Sequence, residues 1–192
     1  MPYDAKVILV MIASPSDVLE ERKIVRDIIE EWNTICAAER SAVFVAVGWE
    51  TGTSPELSGR PQQMINERLL AKADLLVGIF WTRVGSPTGK AISGSVEEIE
   101  EHMKAGKPVM LYFSNVPAKI NSIDDKQYEQ LKTFKKWARE KGLVESYDTQ
   151  ADFRDKFRRQ LPLTLQDNAY LRSLTGPNTK PRRTDRRSIQ GQ

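Results

Sequence analysis

Cysteine and histidine are almost absent from this sequence. Its 192 residues include one cysteine, Cys36, and one histidine, His102. A single cysteine excludes an internal disulfide, and the two together exclude a zinc site built from cysteine and histidine ligands. We therefore expect no metal site. We interpret Cys36 as a core residue beside Ile35 in a helical pattern, and a nucleophilic Cys–His pair has no supporting sequence context.

Long apolar runs are also missing. No stretch has the length and apolar character that a membrane-spanning helix needs. The first 17 residues lack the basic start and the cleavage site of a secretory signal, and they lead directly into a strand-like run. We therefore expect a cytoplasmic protein with no membrane partner.

The positive charge is unevenly distributed. The net charge is +3, and residues 180–192 contain five basic residues and one acid. A basic end of this kind can contact nucleic acid, but it is more often a solvated, disordered terminus. We expect one α/β domain over residues 1–165, a basic and flexible extension over 166–192, and no nucleic-acid partner.

Apolar runs alternate with helical patterns five times along the chain. The first run, "KVILVMIA" (6–13), is continuous and rich in β-branched residues, as in a strand buried on both faces. The predicted strands are 6–13, 42–50, 73–81, 108–113 and 144–148. The predicted helices are 15–37, one that begins at Pro61, 95–105, 126–142, and one that contains Phe153, Phe157 and Leu161.

This alternation predicts the fold class. Strands that alternate with helices form an open parallel sheet with helices on both faces. Five strands favour the flavodoxin-like order 2-1-3-4-5, in which ligands bind outside the carboxyl ends of the strands. We expect Ser14, Trp49, Trp81, Arg83 and the start of helix 95–105 to lie at that edge.

The helix over 95–105 begins with a group of acids. Acids in a first turn are favoured by the helix dipole, and Ser95 with Glu98 matches a capping box. We expect Glu97, Glu101 and Lys104 to form a charged outer face. The four acids are Glu97, Glu98, Glu100 and Glu101.

Glu98 differs from the other three acids because it shares a face with His102 and follows a Gly-rich loop at the ligand edge. We interpret Glu98 as a candidate catalytic carboxylate and His102 as a solvated helix residue. We also expect Ser14 to cap the first helix, with Pro15 at its first position.

The loop before this helix does not match the common phosphate motifs. "GSPTGK" (85–90) has one residue too few between its glycines, and Ala91 follows Lys90 where Ser or Thr would bind magnesium. No G-x-G-x-x-G follows a strand, which argues against an ordinary dinucleotide-binding dehydrogenase. Trp49 and Trp81 are candidates for stacking on a flat base, and Arg83 is a candidate for pairing with phosphate.

Two stretches resemble a family of TIR-like domains that is often attached to NACHT or related ATPases. They are "ASPSDVLEERKIV" (13–25) and "ADLLVGIFWTRVGSPTG" with the following "SGSVEEIEEHMKAGKPVMLYF". The second stretch is also similar to nucleoside deoxyribosyltransferases in the distance from Glu98 to Gly106-Lys107. The resemblance covers roughly residues 5–160. The Trp-Cys-x-x-Glu of animal and plant TIR domains is absent, and "GSVEE" stands in its place.

The resemblance implies a TIR-like three-layer sandwich that cleaves the N-glycosidic bond of NAD, with NAD as a substrate and no cofactor. Glu98 would be the catalytic residue, and substrate would bind to Ser14, Trp49, Trp81, Arg83 and Ser93. In bacteria it implies antiphage defence, with NAD depletion or an ADP-ribose-type signal, and with self-association or a partner defence protein.

Two alternatives remain open at this point. One is a non-catalytic TIR-like interaction domain that uses the same surfaces to bind a partner. The other is a nucleoside or nucleotide N-glycosidase, or an enzyme like the deoxyribosyltransferases.

Overall fold

The computed structural model of the chain describes residues 3–48 and 69–175. Trp49 and the predicted start of a helix at Pro61 lie outside the described residues, as does the basic segment 180–192. The structural observations that follow concern the described residues alone.

Strands and helices alternate as the sequence predicts. The strands are β1 (Lys6–Ala13), β2 (Ala42–Val47), β3 (Leu75–Phe80), β4 (Val109–Ser114) and β5 (Glu145–Tyr147). The helices are α1 (Leu19–Arg40), α2 (Gly94–Lys104), α3 (Asp125–Lys141), α4 (Gln150–Asp167) and α5 (Ala169–Leu174), with short 3₁₀ helices at Leu70–Lys72 and Ile120–Ser122.

The five strands form one parallel sheet in the order β2-β1-β3-β4-β5. The predicted fold class and strand order are therefore confirmed. The central strand β3 is buried at all six positions, as expected for a strand covered on both faces. The pairing of Ala13 with Gly78 brings the carboxyl ends of β1 and β3 to one edge of the sheet.

Two apolar cores cover the two faces of the sheet. On one face α1, α4 and α5 pack together, and the ring of Tyr112 meets those of Phe153 and Phe157 edge-on, with centroids 5.2 and 5.9 Å apart. On the other face, α2 and α3 pack with the residues around the first 3₁₀ helix. The result is a three-layer α/β sandwich.

The first helix begins later than predicted, at Leu19. Ser14 does not cap it, because the Ser14 hydroxyl instead accepts a hydrogen bond from Arg22 Nε at 2.7 Å. Ile35, the neighbour of Cys36 in the helical pattern, is 70% exposed. Cys36 is half-buried and packs against the core on this face, in agreement with its interpretation as a core residue.

The second helix is capped by Ser93, whose hydroxyl accepts from the Val96 amide at 3.2 Å. The predicted capping box from Ser95 is therefore wrong, because Ser95 lies inside the helix. Glu97 is buried and accepts a hydrogen bond from the Thr88 hydroxyl, so it does not belong to an outer face.

Glu101 and Lys104 do lie on the outer face, as predicted. They form an exposed ion pair, with 2.8 Å between Glu101 Oε1 and Lys104 Nζ.

His102 is buried, and the prediction that it is solvated is wrong. It follows Ile99 by three residues, so both side chains lie on the helix face that packs against the sheet. Burial, and secondarily the charge of Lys107, lowers the pKa of His102 to about 4, while Asp74 acts in the opposite direction.

Helical structure continues beyond the predicted domain boundary at residue 165. The helix α5 ends at Leu174, and Leu171 is buried in the core. The division into a domain and an extension stays a prediction. Among the helices in residues 3–48 and 69–175, none combines the length and apolar character needed to cross a bilayer.

We predict that Gly78→Ala destabilises the fold by about 1–3 kcal/mol because it overpacks the core. A Cβ at Gly78 would lie 2.4 Å from Leu111 Cδ2 and 3.2 Å from Ile99 Cδ1. Gly142→Ala is the matched control, since a Cβ there meets no atom within 4 Å. Urea unfolding of both variants measures the difference, and equal stabilities would contradict the prediction.

We predict that the free energy of unfolding falls as pH decreases from about 6.5 to about 4. In this window the unfolded chain binds a proton at His102 and the folded chain does not, which costs about 2–3 kcal/mol. Urea unfolding at several pH values measures this slope. In His102→Leu the slope between pH 6.5 and 5 should disappear, because the chain has no other histidine; an unchanged slope would refute the assignment.

Candidate active site

Four parts of the chain meet at the carboxyl edge of the sheet. The loop after β1, the loop after β3 and the amino ends of α2 and α3 together surround a cavity of about 540 Å³. This volume is within the range of small-molecule sites in proteins. The cavity lies where the fold class predicts a ligand.

Three of the predicted site residues line this cavity, namely Ser14, Arg83 and Glu98. Ser93 does not, because its side chain is fully buried in the cap of α2. Trp81 lines two other cavities at the same edge. Trp49 lies outside the described residues, so the structure brings no predicted stacking residue to the wall that contains Glu98.

Glu98 is 4% exposed and belongs to the first turns of α2. It lies close to the amino end of the helix, where the helix dipole favours a negative charge. The neighbouring acids point elsewhere: Glu97 accepts from Thr88, and Glu101 pairs with Lys104. Glu98 is thus the acid of this helix that lines the cavity.

Arg22 also lines the cavity, and the sequence pattern marked it only as part of a family motif. Its guanidinium donates to the Ser14 hydroxyl at 2.7 Å, to the Ser14 carbonyl at 2.8 Å and to the Pro15 carbonyl at 2.6 Å. These bonds fix the shape of the loop after β1. They also use the Ser14 oxygen as an acceptor, so the hydroxyl proton remains available for donation.

Asp17 connects the loop after β1 to the loop after β3. Its Oδ2 accepts from the Thr82 amide at 3.0 Å and from the Thr82 hydroxyl at 2.8 Å. The same oxygen lies 3.9 Å from Nε of Arg83, whose side chain is 44% exposed. Asp17 therefore lies beside the Nε edge of the Arg83 guanidinium, while the side chain stays partly accessible to solvent.

Gly85 shapes the far wall of the cavity. Its φ of 104° is in the left-handed region that favours glycine, and a Cβ there would lie 3.3 Å from the Ser93 Cβ. Its amide donates to Gln127 Oε1 at 2.9 Å, which ties this loop to α3. A glycine at this position lets the loop pass close to the cap of α2.

The assembled residues define the chemistry that this cavity supports. The buried carboxylate of Glu98, the carboxylate of Asp124, a serine hydroxyl and two guanidinium groups share one pocket that is open to solvent. Guanidinium groups bind phosphate oxygens, and a carboxylate stabilises a developing positive charge. Residues 3–48 and 69–175 contain no group of three or more His, Cys, Asp or Glu side chains placed to hold a metal ion.

A family model and a solved structure are similar to this chain. None of the curated proteins matches this chain significantly. A solved structure described as a conserved protein from Enterococcus faecalis V583 is similar at 11% identity and a TM-score of 0.38, over 80% of this chain and 99% of that one. The model of the family described as "Domain of unknown function (DUF4062)" matches residues 10–162. The chain therefore belongs to the family Domain of unknown function (DUF4062).

Proposed function

We propose that this protein cleaves the N-glycosidic bond of NAD, with Glu98 as the catalytic carboxylate. The observation that carries the proposal is the position of Glu98 in one cavity with Ser14, Arg22 and Arg83. The resemblance of the two quoted stretches to TIR-like domains supports the same reaction.

The charges of the cavity suit a dinucleotide. NAD carries a pyrophosphate, and Arg83 presents a half-exposed guanidinium to the cavity. Its planar fork of donors matches phosphate oxygens. Arg22 is 5% exposed and is held by the loop after β1, so we assign it to shaping the wall and to the positive potential of the site.

Glu98 would act on the ribose that carries nicotinamide. The bond between C1′ and the nicotinamide nitrogen breaks, and its electron pair leaves with neutral nicotinamide. The ribose then resembles an oxocarbenium ion, which a nearby carboxylate stabilises. Water adds at C1′ and loses a proton, which gives ADP-ribose; attack by an adenine nitrogen of the same molecule would give a cyclic ADP-ribose instead.

We assign no described residue to stacking on a base of NAD. Trp81 lies on other cavities, so it is not part of this proposal. Trp49 stays the candidate that the sequence supplies.

The proposed cellular role follows from the resemblance alone. We propose bacterial antiphage defence, in which the enzyme depletes NAD or produces an ADP-ribose-type signal in the cytoplasm. Self-association or a partner defence protein would control the activity, as is common among TIR-like domains.

A second candidate is a nucleotide N-glycosidase. The same carboxylate would act on any phosphorylated nucleoside, and the accessible guanidinium of Arg83 favours phosphorylated substrates as a class. Parallel assays on NAD and on nucleoside monophosphates separate the two activities.

We predict that Glu98→Gln reduces nicotinamide release from NAD by about 100-fold or more, as expected when charge stabilisation of a transition state is lost. The amide keeps the shape of the side chain but removes the charge. Glu101→Gln is the matched control, because it makes the same change on an exposed site of the same helix. Equal activities of the two variants, at unchanged melting temperatures, would contradict the role of Glu98.

We predict that Arg83→Ala raises the KM for NAD by about tenfold or more, because a charge-assisted contact to phosphate is lost. The KM for nicotinamide riboside, which has no phosphate, should change little. Steady-state assays on both substrates give this comparison, and Arg83→Lys should recover part of the loss. A similar increase of KM for both substrates would show that Arg83 does not bind phosphate.

A further inference from the structure

A second cavity of about 310 Å³ lies at the same edge of the sheet, against the amino ends of α1 and α4. Its wall includes Asp17, Glu20, Glu21, Trp81 and Gln150. Ser16 lines this cavity and also the cavity that contains Glu98, so the two are neighbours. We call the second one the acidic cavity.

Negative charge dominates the acidic cavity. Three of its lining residues are acids, and none of the lining residues in the described ranges is Lys or Arg. Arg83 lies close by, with Nε 3.9 Å from Asp17 Oδ2. The side chains that line the cavity therefore carry a net negative charge.

The helix dipole explains only part of this arrangement of acids. Glu20 and Glu21 lie in the first turn of α1, where the helix dipole favours acids. That account is sufficient for the exposed Glu20. It does not explain why Glu21 is 5% exposed and accepts a hydrogen bond from the buried Tyr147 hydroxyl at 3.0 Å. Burial, and then the charge of Glu21, raises the pKa of Tyr147, so this hydroxyl stays a donor.

One carboxylate oxygen of Asp17 is not used within the described residues. Its side chain is 10% exposed, and its Oδ2 is used by Thr82. Its Oδ1 is buried and has no hydrogen-bond partner within residues 3–48 and 69–175. Arg83 Nε lies 3.9 Å from Oδ2, and a cation in the adjoining cavity would stabilise this carboxylate further.

Trp81 gives the cavity an aromatic wall. Its Nε1 donates to the Val116 carbonyl at 2.7 Å, which fixes the orientation of the indole. Trp81 also lines a cavity whose wall includes Lys132 and Lys135, so an acidic and a basic cavity adjoin at this residue. The face of an indole attracts cations more strongly than that of any other aromatic side chain.

We propose that the acidic cavity binds a small organic cation of the pyridinium or quaternary ammonium type, held between Trp81 and the carboxylates of Asp17, Glu20 and Glu21. Such cations are recognised by an aromatic face together with negative charge. The proposal rests on these residues and is independent of the proposed NAD cleavage.

Three probes with similar rings and different net charges test whether the acidic cavity prefers a cation. They are 1-methylnicotinamide, a cation; nicotinamide, which is neutral; and nicotinate, an anion. Calorimetric titration of the full chain should show saturable binding of the cation, with the other two about tenfold weaker or more. Equal or tighter binding of nicotinamide or nicotinate would overturn the proposal, and so would no binding of the cation.

Variants locate the bound cation. Glu20→Gln, at an exposed position, and Trp81→Leu should each weaken 1-methylnicotinamide binding by about fivefold or more, while Glu101→Gln leaves it within about twofold. The unfolding temperature of each variant shows whether it is folded, and Glu20→Gln carries the test if Trp81→Leu is not. Binding that survives both folded variants would refute the site.

One further variant separates the acidic cavity from the proposed NAD site. Glu98→Gln should leave 1-methylnicotinamide binding unchanged if the cation occupies the acidic cavity. Loss of binding in Glu98→Gln together with full binding in Glu20→Gln would place the cation beside Glu98 and overturn the proposal. Failure of NAD turnover in the wild-type protein would leave this result unaffected.

Discussion

The carboxylate of Asp17 joins the two loops that form the carboxyl edge of the sheet. Its contact with Thr82 fixes the loop after β1 against the loop after β3, and its contact with Arg83 holds a solvent-accessible cation at the border of the larger cavity. Ser16, the residue before Asp17, lines both the cavity that contains Glu98 and the acidic cavity. This connection contributes to the shape of both the Glu98 cavity and the acidic cavity.

The strands and their order were predictable because they depend on short, local patterns. Continuous apolar runs such as 6–13 specify strands buried on both faces, and their alternation with helices leaves one common topology. This topology also brings Ser14, Arg83 and Glu98 to one cavity, so their proximity could be predicted without side-chain contacts. Residues that follow different strands meet because parallel strands end at the same edge.

The predictions that failed concern which face of a helix a side chain occupies. A helix turns by about 100° per residue, so Glu97 and Glu101 differ in direction by only about 40° and the periodicity of the sequence does not separate them. Glu97 is buried because the Thr88 hydroxyl of the preceding loop donates to it, and His102 shares the buried face of Ile99. The contacts of Arg22 with Ser14 and the position of Trp81 between two cavities depend on tertiary packing, for which the sequence carries no periodic signal.

The hydrogen bonds of Arg22 also make the two sides of the Glu98 cavity unequal in stiffness. Displacing the loop after β1 would leave a buried guanidinium without its carbonyl partners, which is strongly unfavourable. The opposite side contains Gly85, which has a positive φ, no side-chain packing to lose and an amide that donates to Gln127 Oε1. A ligand larger than the resting cavity would therefore be accommodated by yielding of the glycine-bearing wall, while the wall at Ser14 serves as a fixed template.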